Sequence, residues 1–191
     1  MTRPPAAKEK ILSAARRIVE DSGAGALTFD ELSKVSGVTR GGITYHFPTK
    51  EDLLRGLLEA DFVQWDQAEA AHTPTDCDPE TARLLGFIRT LTAQDESHRR
   101  FLCGMLSAAT LDPSLMDPCR QDLQDRLGRK QWNDRDLRLH LVHLAAEGLM
   151  WQEMFQMFSM PGGARTRLVA LMEKLAREWG EESTRKLAKE A

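Results

Sequence analysis

Cysteine is scarce in this chain, and its placement excludes the roles that cysteine most often has. The 191 residues contain 3 cysteines, Cys77, Cys103 and Cys119, which are widely spaced and form no Cys-x-x-Cys pair. An odd, scattered set indicates neither a disulfide framework nor a cysteine zinc site. Buried or idle thiols are the simple interpretation; a redox-sensing thiol is the alternative, and it requires an exposed, electropositive setting.

Long apolar runs are also missing. No stretch is long enough to span a bilayer, and the opening MTRPPAAKEK has neither the apolar segment nor the cleavage-type sequence of a secretion signal. A composition of 41% hydrophobic and 29% charged residues is that of a folded, soluble protein. We therefore expect a cytoplasmic protein with no membrane partner.

A large excess of positive charge, which would suggest nucleic acid, is absent as well. The net charge is −3, but residues 1–60 contain 9 Lys and Arg against 8 Asp and Glu, and residues 61–191 contain 17 against 21. This small difference permits a basic face on the N-terminal part and an acidic remainder. Charge alone does not indicate DNA binding.

Signatures of catalysis are lacking too. The sequence has no phosphate-binding loop, no Gly-x-Ser-x-Gly, no His-Glu-x-x-His and no Cys/His pair in a recognisable context. Carboxylate-bridged metal sites in helical bundles need a Glu-x-x-His pattern on each of two helices, and the sequence does not contain two. We predict no enzymatic activity and no cofactor.

What the sequence does contain is helical periodicity throughout, which predicts an all-α fold. The first predicted helix runs from Ala7 to Ser22 and is ended by glycines. A capping box at Thr28 then predicts a short helix ended by Gly37, and Thr39 caps a third helix that Pro48 stops. Helix, tight glycine turn and helix are the spacing of a helix-turn-helix.

The remaining chain is predicted to form a second helical domain. A fourth helix begins at Thr49, and the polar loop 72–79 follows it; further helices are predicted near 80–94, 97–110, 113–129, 134–158 and 164–180. We predict a DNA-binding domain over residues 1–48 and a ligand-binding and dimerisation domain over 49–191, entered by the connecting helix 49–71. The last residues, EESTRKLAKEA, extend a helix or fray in solvent.

Candidate base-reading residues stand at the start of the second helix of the motif, because those positions meet base edges in the major groove. They are Thr39, Arg40 and Gly41. An arginine there can make a bidentate contact with guanine, or it can bind phosphate. Thr39 can cap the helix, touch phosphate, or do both. Gly41 and Gly42 each cost about 1 kcal/mol of helix stability relative to Ala, which suggests close approach of the backbone to the duplex.

The segment Gly37 to Leu54, GVTRGGITYHFPTKEDLL, resembles the tetracycline-repressor (TetR) family. With the preceding TFDELSKVSG and the first helix, the resemblance covers about residues 8–58; the rest agrees in helical character and length. The resemblance implies a homodimer that binds double-stranded operator DNA and releases it when a ligand enters the C-terminal domain.

The same resemblance implies roles for several side chains. Tyr45 and His46 match the family pattern, which assigns them to contacts with the DNA backbone; the alternative for Tyr45 is partial burial. Gly42 departs from the usual hydroxyl residue. Thr44 departs from the usual tyrosine, which shifts base readout towards its methyl and hydroxyl groups. Independently, Lys50 lies in the first turn of the fourth helix and Thr28 at the start of the second, and both are expected to contact phosphate.

The helices predicted over 134–158 and 164–180 carry apolar stripes that predict a dimer interface. The stripes repeat at three- and four-residue steps, and Gly148 would let a partner helix approach closely. Paired across a two-fold axis, these helices would form a four-helix interface; burial inside one monomer is the alternative. The predicted interface residues are Leu141, Leu144, Gly148, Trp151, Phe155, Leu168, Leu171 and Leu175.

A second stripe on the helix predicted over 134–158 predicts an effector site for a largely apolar small molecule. Its polar members, His140, His143 and Glu147, would orient the guest, and Met150 and Met154 would line the gap. Trp65, Phe87, Phe101 and Met105 are candidates for the opposite walls. Core filling is the alternative for each apolar residue. The spacing of the two histidines and Glu147 also suits a metal, but we predict a polar pocket rim and no metal site.

Two other functions compete with that of a ligand-released repressor. One is a helical adaptor that has kept the fold and lost the DNA site, which the departures at Gly42 and Thr44 favour and which Arg40, Tyr45, His46 and Lys50 oppose. The other is a helical enzyme acting on small molecules. Binding to any operator sequence distinguishes a regulator from both.

Overall fold

The computed structural model describes residues 7–190, with side chains described as far as Glu181. Within this range the chain forms helices and no strand, which confirms the predicted all-α class. The helices are α1 (Ala7–Ser22), α2 (Phe29–Ser36), α3 (Arg40–His46), α4 (Lys50–His72), α5 (Pro79–Thr92), α6 (Glu96–Leu111), α7 (Asp117–Leu127), α8 (Asp134–Met154) and α9 (Ala164–Glu190). Short 3-10 turns occupy Ala24–Ala26 and Pro113–Met116.

The helices of the N-terminal motif begin and end where local chemistry predicts. The Thr28 hydroxyl accepts a hydrogen bond from the Glu31 amide, and the Thr39 hydroxyl accepts one from the Gly42 amide, so both threonines are N-caps. Gly37 ends α2 with a φ of 68°, in the left-handed region that glycine adopts without steric cost. A left-handed residue here allows the sharp turn between α2 and α3.

The helices pack as two compact units that do not coincide with the boundary predicted at residue 48. The first unit comprises Met1–Gln64 and Asp95–Gln124, and the second comprises Trp65–Gln94 and Asp125–Ala191. Most of α4 and all of α6 therefore pack with the helix-turn-helix. The reason is that the buried face of α4 and residues of α6 enter the same apolar core as α1.

The core of the first unit forms around α1. Ile11, Ala15 and Val19 of α1 are almost fully buried and pack with Leu32 of α2 and Ile43 of α3. The buried leucines of α4 and two residues of α6 complete the cluster: Leu53, Leu54, Leu57, Leu58, Phe101 and Met105. Burial of each large side chain contributes roughly 1.5–3 kcal/mol to folding.

The core of the second unit forms between α5, α8 and α9. Leu85 and Ile88 of α5 are fully buried and pack with Ala146 of α8 and Met172 and Ala176 of α9. Arg89 of α5 donates two hydrogen bonds to Glu173 of α9, at 3.2 and 2.9 Å. A bidentate pair of this kind fixes the register of the two helices.

Three predicted helices have different bounds in the structure. The stretch predicted over 113–129 is a 3-10 turn followed by α7, and α9 continues to Glu190 rather than ending near 180. The helix predicted over 134–158 ends at Met154, because Phe155 leaves helical geometry and Gln156 has a φ of 51°. No described helix has an apolar segment long enough to cross a membrane.

Candidate DNA-binding surface and effector site

One face of α3 anchors the recognition helix and the other faces solvent. Ile43 is fully buried and Phe47, its C-cap, is nearly so, which fixes the helix on the core of the first unit. Arg40 and Gly41 are exposed on the opposite side, and Tyr45 is 83% exposed. This exposure excludes the alternative that Tyr45 belongs to the core. His46 meets the Tyr45 ring edge-on, with ring centroids 5.1 Å apart.

The two positions of α3 that depart from the family pattern, Gly42 and Thr44, have different surroundings. A Cβ atom on Gly42 would lie 3.0 Å from Val38 Cγ1 and 3.3 Å from Thr39 Oγ1, so the position is crowded by its own cap. The Thr44 hydroxyl donates to the carbonyl oxygens of Arg40 and Gly41, at 3.1 and 3.2 Å. Its hydrogen is therefore used inside the helix, and the methyl group and the hydroxyl lone pairs are left for a base.

Residues around the start of α4 flank the recognition helix along the chain. Thr49 and Asp52 form a reciprocal cap: the Thr49 amide donates to the Asp52 carboxylate at 3.1 Å, and the Asp52 amide donates to the Thr49 hydroxyl at 3.1 Å. Lys50 is the first residue of α4. A Cβ on Gly56 would meet the Phe47 ring at 2.7 Å, so α4 packs closely against the end of α3.

An ion pair that the sequence did not indicate holds Arg40. Nη1 of Arg40 lies 2.7 Å from Oδ1 of Asp30, in the first turn of α2. The neighbouring Glu31 pairs instead with Lys34, at 3.2 Å. Asp30 and Arg40 are ten positions apart in the sequence, on either side of the turn of the motif, so no helical spacing relates them.

A second unpredicted feature is a partly buried charged cluster inside the first unit. Arg16 of α1 lies 2.7 Å from Asp61 of α4 and 3.0 Å from Nδ1 of His98 on α6, and it lies over the Phe101 ring, 4.1 Å from the centroid. Burial lowers the pKa of His98. Asp61 continues the apolar stripe of Leu57 and Leu58. An acidic residue on such a stripe is the one sequence feature that indicates a charged partner in the core.

In the second unit, the two predicted histidines of the effector site, His140 and His143, lie in a row of aromatic rings. The Phe87 and His143 rings stack with centroids 4.2 Å apart, His140 lies 5.9 Å beyond His143, and Trp65 lies 5.8 Å from Phe87 on the other side. Trp132 meets His140 edge-on at 5.2 Å. We call Trp65, Phe87, His143, His140 and Trp132 the aromatic row.

Two carboxylates accompany the aromatic row. Nε2 of His143 lies 3.3 Å from the Glu147 carboxylate, and the hydrogen bond between them holds the pKa of Glu147 below its ordinary value. The Trp65 indole donates to Glu69 at 2.9 Å. Burial lowers the pKa of His140. Helical periodicity does not indicate Glu69 and Trp132, because their link to the row depends on packing.

The predicted pocket walls divide between the units. Trp65, Phe87, Met150 and Met154 belong to the second unit, and Met150 packs against its core. Phe101 and Met105 do not belong with them: both are buried in the core of the first unit with α1. Their assignment to the effector site is corrected for that reason. In the described residues, no three His, Cys, Asp or Glu side chains are grouped to hold a metal ion.

The predicted dimer stripe on α8 is largely exposed. Leu141, Leu144, Trp151 and Phe155 all have exposed side chains, and Leu137 extends the stripe. Nothing lies within 4 Å of a Cβ built on Gly148. On α9, Leu171 is exposed, whereas Leu168 and Leu175 are partly buried against the core of the second unit. The alternative of burial within one monomer thus applies to part of the α9 stripe.

The three thiols are partly buried, which disfavours a role in redox sensing. Burial raises the pKa of Cys77, Cys103 and Cys119. A raised pKa lowers the thiolate fraction near neutral pH, and the thiolate is the reactive form. These values favour the interpretation of the cysteines as unreactive.

A helix-turn-helix with an exposed recognition helix, followed by a second helical unit, defines a class of DNA-binding regulator. Two family models match the chain: bacterial regulatory proteins of the tetR family over residues 11–57, and the tetracyclin repressor-like C-terminal domain over residues 81–177. The second match covers about half of the chain. The protein belongs to the TetR family of transcriptional regulators, which are not enzymes.

Individual relatives match over part of the chain. The regulator QacR of Staphylococcus aureus is 35% identical over 60 residues, 31% of this chain and 32% of QacR. TtgR of Pseudomonas putida is 32% identical over 88 residues, 46% of this chain and 40% of TtgR. EthR of Mycobacterium tuberculosis is 35% identical over 72 residues, 37% of this chain and 33% of EthR. The matched segments thus span about a third to two fifths of these relatives.

Solved structures resemble nearly the whole chain. A TetR family member from Streptomyces coelicolor, SCO1917, has a TM-score of 0.66 at 17% identity and covers 90% of this chain and 98% of its own. The multidrug binding protein EbrR, complexed with malachite green, has a TM-score of 0.64 at 18% identity, with coverage of 90% and 98%. At such identities the likeness shows the fold.

Proposed function

We propose that the protein is a transcriptional repressor that binds a palindromic operator as a homodimer and leaves it when a planar aromatic compound binds the second unit. The observation that carries the proposal is the recognition helix. Ile43 and Phe47 fix α3 on the core, while Arg40, Gly41 and Tyr45 face solvent together. A helix held in this way enters a major groove with its first residues at the base edges.

Base readout and positioning are carried by different side chains. Arg40 binds guanine through two parallel N–H donors, and the methyl group of Thr44 contacts thymine. Gly41 and Gly42 let the backbone come close to the duplex. Phosphate contacts come from the residues around this helix and fix its register: Thr28, Thr39, Tyr45, His46 and Lys50.

A dimer supplies the second recognition helix. The exposed α8 stripe supports this state, because Leu141, Leu144 and Trp151 are apolar side chains on one helix face that the monomer leaves open. A two-fold axis through this face repeats the helix-turn-helix, and two half-sites then lie about one helical turn of DNA apart.

Selection of DNA fragments tests the proposal directly. Sheared genomic DNA is incubated with purified protein, and the retained fragments are sequenced. We expect enrichment of an inverted repeat with half-sites separated by about one helical turn. Retention without any shared motif would favour non-specific binding, and no retention would favour the helical adaptor.

The effector site is proposed at the aromatic row. Stacked rings suit a planar guest, and Glu147 and Glu69 offer carboxylates that orient it. A cationic ring compound fits both features, since a cation is attracted to ring faces as well as to carboxylates. The neighbour EbrR, which shares the fold, is described as a multidrug binding protein and was solved with malachite green.

Malachite green is a suitable first probe. Its absorbance is titrated with wild type, with Phe87→Leu, which removes a ring from the row, and with Phe158→Leu, which removes an exposed ring outside it. We expect Phe87→Leu to weaken binding and Phe158→Leu to leave it unchanged. An inducer must bind the DNA-free protein more tightly than the operator complex. Equal affinity in both states would exclude an inducer role.

A further inference from the structure

The ion pair between Asp30 and Arg40 joins the two helices of the DNA-binding motif on their solvent side. Asp30 stands in the first turn of α2 and Arg40 is the first residue of α3. Nη1 of Arg40 donates to Oδ1 of Asp30 at 2.7 Å, and the two side chains remain 65% and 72% exposed. The pair therefore holds the arginine at the surface that would face DNA and leaves it accessible.

The geometry of this bond leaves the base-reading edge of the arginine available. A guanidinium has five N–H donors in a fixed plane, and the bond to Asp30 uses the Nη1 side. The opposite edge presents Nε and Nη2 as two parallel donors, which is the arrangement that matches O6 and N7 of guanine. An arginine held by one edge loses little further side-chain freedom when its other edge meets a base.

The same carboxylate opposes binding to phosphate. A negative charge 2.7 Å from the guanidinium offsets much of the positive charge that a phosphate would meet. Asp30 itself also repels the DNA backbone. Guanine is neutral and offers two acceptors in one plane. The charge of Asp30 therefore weakens the binding of Arg40 to guanine less than its binding to phosphate.

We propose that Asp30 is a specificity-determining positioning residue, which holds Arg40 so that it reads guanine and suppresses its binding to phosphate. This inference rests on the proposed function, in which Arg40 contacts a base. It predicts that loss of the carboxylate makes the protein less selective. Affinity for unrelated DNA rises, and affinity for the operator rises less or falls.

The neighbouring Glu31 provides a matched control. It stands beside Asp30 in the first turn of α2, so its loss changes the charge and the helix terminus in the same way. Its carboxylate pairs with Lys34 at 3.2 Å rather than with Arg40. Asp30→Asn and Glu31→Gln therefore remove the same charge from the same surface, and only the first releases Arg40.

Affinities for the selected operator and for a scrambled duplex of equal length test the proposal. We expect Asp30→Asn to lower the ratio of the two affinities by about fivefold or more, the size of one good base contact. Glu31→Gln is expected to raise both affinities alike and keep the ratio. In an Arg40→Ala background, Asp30→Asn should leave the ratio unchanged, because the side chain it positions is gone.

The outcomes separate this inference from the proposed function. If wild type does not discriminate between the two duplexes, the proposed function fails. If wild type discriminates and Arg40→Ala lowers the ratio, but Asp30→Asn behaves like Glu31→Gln, the proposed function stands and the role of Asp30 is overturned. A fall in the ratio for Asp30→Asn that persists in the Arg40→Ala background would also overturn it.

Discussion

At the scale of single residues, Gly41 and Gly42 have different reasons to be glycine. Gly42 is crowded by Val38 and Thr39, so a side chain there requires these two neighbours to shift by a few tenths of an ångström. A Cβ built on Gly41 meets nothing within 4 Å. The fold therefore gives no steric reason for glycine at position 41, and close approach of DNA supplies one.

Gly41→Ala should accordingly separate folding from DNA binding. Alanine is the better helix former by up to about 1 kcal/mol, so the free energy of unfolding should rise slightly. Operator affinity should fall, because the added methyl stands between α3 and the duplex. Chemical denaturation and fluorescence anisotropy measure the two quantities. Gly25→Ala, also in open space, is the control that should keep wild-type affinity; unchanged affinity in Gly41→Ala would contradict the account.

The protonation of His98 is set by the groups around it. Arg16 can only donate, so the 3.0 Å contact makes Nδ1 of His98 an acceptor and the imidazole neutral. Asp61 and Glu20 also face the cluster, as does Asp95 before α6, and they favour the charged form. Burial outweighs them and lowers the pKa of His98.

A lowered pKa makes stability depend on pH in a defined direction. His98 in the unfolded chain takes up a proton near pH 6.5, before His98 in the folded protein does. The contribution of neutral His98 to the free energy of unfolding is therefore fully present above that pH. It is lost as the pH falls from there towards the pKa of His98 in the folded protein. The loss between about pH 7.5 and 5.5 should be smaller in His98→Asn than in wild type. Urea denaturation at both pH values measures it, and an equal loss in His98→Asn would refute the assignment.

At the scale of elements, α6 crosses α1 at a glycine. A Cβ on Gly104 would lie 2.6 Å from Val19 Cγ1 and 3.3 Å from the Val19 carbonyl oxygen. Close packing there brings Phe101 and Met105 into the core of the first unit. The helix carrying them is thereby fixed to the helix that supports the DNA-binding motif.

Gly104→Ala should destabilise the fold by about 1–3 kcal/mol through this contact. The cost should be smaller when Val19 is already Ala, because the nearest atom in the clash is a Val19 methyl. Free energies of unfolding for wild type, both single variants and the double variant complete the cycle. If Gly104→Ala lowers the free energy of unfolding equally in wild type and in the Val19→Ala background, the clash is with the Val19 carbonyl oxygen and not with its methyl group.

Local chemistry made the N-terminal elements predictable, and packing decided the rest. The caps at Thr28 and Thr39 and the stop at Gly37 depend on neighbouring residues alone. The end of α8 at Met154 depends on a left-handed Gln156, which carries no glycine-like signal. Periodicity likewise marks Phe101 as buried but cannot say that its partner is α1, more than 80 residues away.

At the scale of the whole molecule, the exposed stripe on α8 bears on assembly. Gly148 lies in that stripe with open space around it, so a large side chain there does not disturb the monomer. The same side chain would prevent the close approach of a second copy. Position 148 therefore separates dimerisation from folding.

Gly148→Arg should yield a monomer with unchanged helical content and weakened operator binding, whereas Gly148→Ala should remain a dimer. Sedimentation at micromolar concentration gives the mass, and circular dichroism gives the helical content. A monomeric wild type at that concentration would contradict the proposed interface. Loss of helical content in Gly148→Arg would show that the position is not open.

The central claim is that α3 reads an operator sequence, and it is tested most directly by comparing Arg40, a proposed base contact, with Lys50, a proposed phosphate contact. Both variants, Arg40→Ala and Lys50→Ala, are measured on operator and on scrambled DNA at several salt concentrations. Arg40→Ala should cost about 1–3 kcal/mol on the operator and much less on scrambled DNA, so that specificity relaxes. Lys50→Ala should weaken binding to both alike and lower the slope of log affinity against log salt by about one unit. Equal loss on both DNAs for Arg40→Ala would reduce Arg40 to a phosphate contact and contradict the account of operator recognition.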